Sequence, residues 1–399
     1  MVLLNRKRYI AAKTEAAEGT AETLTATEAV FQLYEPTAEF EVQMFQRDPA
    51  KPSLSKLVET VGTKSSRFRF RQEMRGSASV SVAPSWGVLL KACGFDQNAI
   101  NSIASTGAGI TNTVKHGSTI TGGTSTATGR VIGQYSGSGV KTVYYKVLTG
   151  TFSSGEVITS NDSPAGSFTS GAGPSANVGF EWKLNSGPTA GVGGETLTLG
   201  LFEEDAAAGS NTLRKLMRGA RGTVRIAHKV GEPVFLEMEF MGVHQSITDT
   251  TKLTQTLETT VPPVYLSAGL VLGSFSPIFS SLDIDIGNNL APRFSANDAS
   301  GILSYRITNR NPVGTMDPES ALVAGKDWFG DWFAPNTSYL EETVGATAGN
   351  RFKIFAPAFQ ITNIADGNRD DLSLANLSVA FKSDGGAAQE DNEIALVMI

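Results

Sequence analysis

One pattern occurs twice in this chain, and it limits the fold more than any other feature. The first occurrence is Arg67 to Phe95, RFRFRQEMRGSASVSVAPSWGVLLKACGF; the second is Leu303 to Phe333, LSYRITNRNPVGTMDPESALVAGKDWFGDWF. Each begins with an alternating strand that carries Arg, passes a Gly, crosses a Pro and enters an amphipathic run closed by aromatic residues. Alternation has the period of a strand, and a Pro ahead of a helical pattern marks a break before the helix. The reading is strand, extended link, helix, with the second helix expected over Glu319 to Phe333.

The likeness extends to both sides of the unit. An acidic alternating strand precedes each, Glu39 to Met44 (EFEVQM) and Leu282 to Gly287 (LDIDIG), and further strands follow each helix. The chain therefore reads as a β-rich α+β protein: two tandem copies of one sandwich- or barrel-forming domain, each with one helix. Residues 1–36, with Arg6 to Arg8 and then a Thr/Ala/Glu-rich run, are expected as an extended N-terminal arm holding one edge strand, in contact with a neighbour rather than part of a core. The first copy is expected over 37–104 and 179–243, a linker over 244–280, and the second copy over 281–399. Residues 105–178 are dense in Gly, Ser and Thr, with Glu156 and Asp162 their only acids. There GSTITGGTSTATGRV and GEVITSNDSPAGSFT look like two hairpins of similar design, so a small all-β insertion domain is expected.

In the first copy Glu39 and Glu41 share one face of their strand, and Arg67, Arg69 and Arg71 share one face of theirs, opposite Phe68 and Phe70. Antiparallel pairing of these strands sets acids against arginines, each cross-strand pair contributing about 0.2–1 kcal/mol. The second copy offers Asp283 and Asp285 against Arg306 and Arg310. Because aromatics and arginines point to opposite faces, they cannot jointly stack on bases, and the ladder reads as architecture. Two polar loops, Arg47 to Ser66 and Gly287 to Gly301, sit at matching places. They carry apolar residues that a solvated loop does not need, Leu54, Leu57 and Val58 in one and Leu290 and Phe294 in the other, which points to docking against a neighbour.

The formal net charge of −6 gives no basic field to hold nucleic acid tightly. Cys93 is the single cysteine, which excludes an intrachain disulfide and a zinc site built on several thiolates. It follows an apolar run and is expected to be buried. His116, His228 and His244 have no metal-binding spacing and read as surface or strand residues. Asp366, Asn368 and Asp370 open like a calcium loop, but Asp371 and Leu377 stand where Gly and Glu are required. Gly191 to Gly194 precedes a strand, not the helix a phosphate loop needs. The adjacent carboxylates Glu203 and Glu204, and Glu341 and Glu342, read as solvated. No catalytic, metal or cofactor constellation emerges, so the chain does not read as an enzyme. The first residues are too charged for a signal peptide. The most apolar segment, Val264 to Phe275, is about half the ~20 residues of a membrane-spanning helix. A soluble chain made in a cytoplasm, with no membrane anchor, is expected.

The stretches LNRKRYIAAKTEAAEGTAE, MRGSASVSVAPSWGVLLKACGF, LMRGARGTVRI, SLDIDIGNN, SYRITNRNPVGTMDPE and KDWF, in this order, resemble the major tail tube proteins of long-tailed bacteriophages. The resemblance covers most of both halves and lapses over about 105–178. It implies a structural virion protein of the phage tail, assembled in the host cytoplasm. Subunits of that family form rings, the rings stack into a tube, and DNA passes through the lumen without specific binding. The implied partners are copies of the chain itself and the tail tape-measure, terminator and distal tail proteins. A fused pair filling two places of a sixfold ring leaves room for three chains, a pseudo-sixfold homotrimer. The insert would lie outside the tube, free for weak contact with the host surface. The alternative reading is a surface or secreted β-protein that binds carbohydrate through the insert.

Overall fold

The structure is a computed structural model that describes residues 3–137, 139, 141–186, 195–205, 211–383 and 391–399. Strands dominate it. The first half opens with β1 (Leu3–Thr14), β2 (Tyr34–Phe45), β3 (Thr60–Glu73) and helix α1 (Gly87–Ala92). β4 (Phe95–Val114) leads through β5 (Thr119–Gly122), β6 (Thr128–Ile132), β7 (Tyr135–Gly137), β8 (Thr142–Thr149), β9 (Val157–Ser160) and β10 (Ser167–Ser170) to β11 (Ser175–Leu184). β12 (Leu197–Asp205), β13 (Asn211–Lys229) and β14 (Phe235–Thr251) complete that half. The second half holds β15 (Val271–Leu272), β16 (Ser281–Asp285), β17 (Asn288–Phe294), β18 (Ile302–Arg310) and β19 (Val313–Met316). After these come α2 (Trp328–Phe333), β20 (Thr337–Val344), β21 (Phe352–Arg369), β22 (Leu372–Lys382) and β23 (Ala395–Met398).

The first half pairs its strands in the order β2–β3–β14–β13–β12–β1, antiparallel throughout. The second pairs in the order β16–β19–β22–β21–β20–β15. The two sheets join edge to edge where the end of β13 meets β16, with Arg225 opposite Asp285 and Lys229 opposite Ser281. β23 is an unbroken apolar run, as a strand covered on both faces must be; it links β21 to β11, and β11 continues to β4. One core serves both sheets, with Phe68, Phe240 and Trp182 in the same cluster as Ile284, Phe352 and Phe381. Trp86 is fully buried beside α1, its ring 4.5 Å from Trp182 and 5.9 Å from Phe352. Truncating such a ring costs about 3–5 kcal/mol.

Residues 101–170 close a separate six-stranded barrel, in the order β4–β8–β6–β5–β9–β10 and back to β4. Its core, which includes Ile103, Val131, Val143, Tyr145, Ile158 and Phe168, is distinct from the main one. Closure leaves the barrel no open edge. The stretches read as hairpins are β5–β6 and β9–β10, and they pair with each other through β5 and β9. β4 serves two structures: Phe95 to Ile100 pair with β11 in the body, and the residues after them form barrel wall.

Several sequence expectations differ from this architecture. Residues 1–36 supply the expected edge strand, β1 on β12, but it is part of the core rather than a peripheral contact, with Tyr9, Ile10, Ala11 and Ala12 buried. Residues 244–280 are not a free linker, since β14 runs to Thr251 and Tyr265, Leu270 and Leu272 are buried. The helix expected over Glu319 to Phe333 is six residues, Trp328–Phe333, started by Asp327, whose side chain accepts from Gly330 N at 2.7 Å. Helices this short do not persist alone; packing of Trp86 and Trp328 into the core holds both. Residues 287–301 are not wholly an open polar loop, because Asn288–Phe294 form β17, which pairs with β18 just beyond.

Candidate assembly surface

On the solvent face of the first sheet, charge alternates strand by strand. Pairing places Tyr34, Arg71, Glu237, Arg225 and Asp285 in one row across β2, β3, β14, β13 and β16. Glu35 lies 3.4 Å from Arg71, and Arg225 bonds Glu237 at 3.0 Å and Asp283 at 2.8 Å. Arg69 sits between Glu39 at 2.9 Å and Glu239 at 2.8 Å, and Arg67 is 3.3 Å from Glu239. The Arg71 guanidinium also stands over the Phe235 ring, 5.1 Å from its centre. Glu41 lies opposite Ser65, with no ion pair among the described residues. These side chains are partly exposed, so each pair contributes about 0–1 kcal/mol. What the arrangement supplies is a face on which each of these arginines has a carboxylate beside it and carboxylates are in excess. Sequence reasoning missed Glu237 and Glu239, although the alternation in PVFLEMEF sets both on one side of β14.

The second ladder read from sequence does not form. β16 pairs with β19, whereas Arg306 and Arg310 lie on β18, which pairs with β17 alone. Asp283 turns instead to Arg225, and Asp285 accepts from Gly287 N at 2.8 Å. Arg306 reaches Glu18 at 3.0 Å, and Arg310 is held by Asp391 and Glu393. The cause is a bend at Gly287, whose φ of +62° favours glycine. A Cβ there would meet Asn311 O at 2.6 Å, so the chain turns out of the sheet at that point.

Between β2 and β3, Leu54 and Val58 are almost wholly exposed, and Leu57 is 38% exposed. The strands that carry this loop expose Phe40, Val42, Met44 and Phe45 as well. Phe294 is exposed at the end of β17, whereas Leu290 packs against the cluster of Val243, Ile302 and Tyr305. Leu290 is thus a strand residue with a core contact, not a loop residue awaiting a partner.

Two of the histidines are buried beside carboxylates. His228 Nδ1 is 2.8 Å from Leu282 O and its Nε2 is 3.2 Å from Glu342, which also accepts from the Tyr265 hydroxyl at 2.6 Å. This knot ties β13, β16 and β20 at the junction of the sheets, and it places Glu342 fully inside rather than in solvent. Burial, with Glu342 beside it, pushes the Tyr265 hydroxyl up. His116 lies 3.9 Å from Glu181, and Arg130 grips the same carboxylate with both terminal nitrogens, one at 3.0 Å. Burial alone would raise Glu181; the Arg130 charge and the His116 contact outweigh it and hold the carboxyl well below the usual range. Burial pushes His116 down. Since Arg130 is on β6 and Glu181 on β11, this pair clamps the barrel to the body. Glu203, read as solvated, is buried between Arg8 at 2.8 Å and Lys215 at 2.9 Å.

Cys93 is buried, which pushes its thiol up and away from reactivity. Asp370 and Asp371 form the β21–β22 turn, both at positive φ, as a two-residue hairpin turn requires. Gly191 to Gly194 lie outside the described residues. Among the described residues no group of three His, Cys, Asp or Glu is placed to hold a metal, and no helix is long and apolar enough to cross a membrane. No protein-family model matches this chain, and no curated protein is significantly similar to it. The features that stand out among the described residues are strand edges, exposed apolar tips and a polar face whose arginines are paired.

Proposed function

We propose that this chain is a structural tube protein. Copies of it close into rings, the rings stack, and the tube carries DNA in a phage-type tail. The observation that carries the proposal is the recurrence of one sheet plan. β1, β2, β3, α1, β12, β13 and β14 are followed by β15, β16, β19, α2, β20, β21 and β22 in the same chain order and the same sheet order. β17 and β18 extend the hairpin of the second set, and the barrel interrupts the first. This supports two tandem copies of one sheet-forming unit. Within the chain the copies meet edge to edge, and the same contact made from chain to chain generates a ring when its rotation closes. Closure also covers edges that would otherwise template uncontrolled pairing. Six places filled two at a time give three chains per ring.

A face whose arginines are all paired and whose carboxylates are in excess supports a conduit. Each unpaired Lys or Arg facing the channel would add a salt-dependent attraction for phosphate and slow the passing DNA, and Arg67, Arg69, Arg71 and Arg225 each have a carboxylate beside them. The barrel has its own core and no open edge, which supports an insertion domain standing outside the tube. Tape-measure, terminator and distal tail proteins are the partners this role requires. Negative-stain images and native mass of the purified protein test the proposal. Tubes or rings of three chains are expected. A monomer that forms neither at high concentration refutes the function, and six chains per ring refutes the tandem-copy reading.

A further inference from the structure

The junction inside the chain has two parts. Where β12 leaves β13, the edge of β13 from Arg225 to Lys229 takes β16. The chain beyond β16 then crosses the end of α1: Asn288 Nδ2 donates to Cys93 O at 2.8 Å and to Gly222 O at 2.9 Å, and Ile307 lies against Gly94. Leu89, Leu90 and Ala92 of α1 are buried.

The other end of the chain has the same two parts without an occupant. β20 leaves β21 at Gln360, and on that side Asn363 to Arg369 have no strand partner among the described residues. Beside that edge stands α2, its Trp332 Nε1 donating to Thr362 O at 3.0 Å. Unlike the buried face of α1, α2 exposes Phe333 at 74% and Phe329 at 46%. At the edge of the first sheet, residues 30–33 lead into β2, belong to no strand, and have no backbone hydrogen bond among the described residues. The β2–β3 hairpin that follows them exposes Phe40, Val42, Met44 and Phe45.

We infer that a second copy of this chain fills the vacant junction: residues 30–34 of one chain pair antiparallel with residues 361–365 of β21 of the next, beyond the last pair that β20 makes, and the β2–β3 hairpin covers α2. The register follows from the sequence. Met74 precedes Trp86 by the same number of residues as Met316 precedes Trp328, and each methionine closes the strand before its helix. Met74 N bonds Val234 O beside the Phe235 and Ala227 pair, whereas Met316 faces Leu377 beside the Ser378 and Asn363 pair. Ala227 therefore corresponds to Asn363. Counting back from Tyr34 opposite Arg71, Gln32 occupies the level that Asp283 occupies opposite Thr315. The internal pair Ala227 and Asp283 becomes Asn363 of one chain and Gln32 of the next. The apolar surface on α2 and that on the hairpin are larger than a lone exposed side chain explains, and each covers the other in this arrangement.

The inference rests on the ring-forming function, and a cross-link separates the two. Directly opposed residues in adjacent strands bring their Cβ atoms within about 4.5–5.5 Å, near the reach of a disulfide. The variant carrying Asn363→Cys and Gln32→Cys is oxidised and run without reductant; buried Cys93 does not compete. Expected is loss of the monomer band to linked species up to three chains, and none in either single variant, Asn363→Cys or Gln32→Cys. Rings visible in images without this cross-link overturn the edge assignment and leave the ring-forming function standing. Absence of rings in the unmodified protein overturns both. Phe333→Asp gives a second readout: folded subunits that no longer close rings are expected, and intact rings refute the covering of α2.

Discussion

Replacing Arg130 with Met tests how the barrel is held. The Arg130 side chain is 14% exposed and Glu181 is fully buried, so solvent screens their interaction little. Removing one partner of a buried pair leaves the other charge uncompensated and costs about 3–5 kcal/mol. Asn98 Nδ2 at 3.4 Å and His116 at 3.9 Å, the latter with burial opposing its proton, are the neighbours left beside Glu181. At about 1.36 kcal/mol per tenfold, even 3 kcal/mol corresponds to roughly a hundredfold more frequent opening. Hydrogen exchange read by mass spectrometry on peptides from β6 and β8 should show that loss of protection, while peptides from β13 and β14 stay as they were. The double variant Arg130→Met with Glu181→Met removes both charges and should recover most of the protection. A loss below about tenfold in the single variant, or a double variant as weak as the single one, refutes a clamp at this pair.

The same site sets a pH dependence. Burial depresses His116, with Arg130 and Lys183 also opposing its proton and Glu181 favouring it. The unfolded chain takes up a proton below about pH 6.5 and the folded chain resists it, so stability is fully present above that pH and is lost as pH falls through it. Thermal midpoints should drop more steeply between pH 7 and pH 5 in the natural chain than in His116→Gln; parallel profiles contradict the assignment. A third test concerns the β2–β3 tip, where Leu57→Asp with Val58→Asp should leave folded single rings that do not stack. Sedimentation showing undiminished tubes would make the loop a bystander.

Much of the local structure was legible in the sequence. Alternation located most strands, the Pro-to-Trp links located both helices, and the turn-rich pieces GSTITGGTSTATGRV and GEVITSNDSPAGSFT located two hairpins of the barrel. The apolar context of Cys93 announced its burial. These properties depend on neighbours in the chain, and periodicity records them directly.

Pairing was a different matter. Alternation says which face a side chain takes but not which strand lies beside it. Arg67, Arg69 and Arg71 could be oriented from sequence, yet Glu237 and Glu239 became their partners only because β14 lies along the far edge of β3. Asp283 was assigned to arginines of its own hairpin and found Arg225, because the bend at Gly287 removes β17 and β18 from the sheet. β1 read as an arm until β12 covered it. The hardest features to foresee were Glu181 and Glu342, single acids in otherwise ordinary strands. What buries them, and the residues Arg130 and Tyr265 that bond their carboxylates there, arrives from distant parts of the chain. Whether a charge is solvated or enclosed is fixed by what the fold lays over it, and that is settled only when the sheets close on a common core.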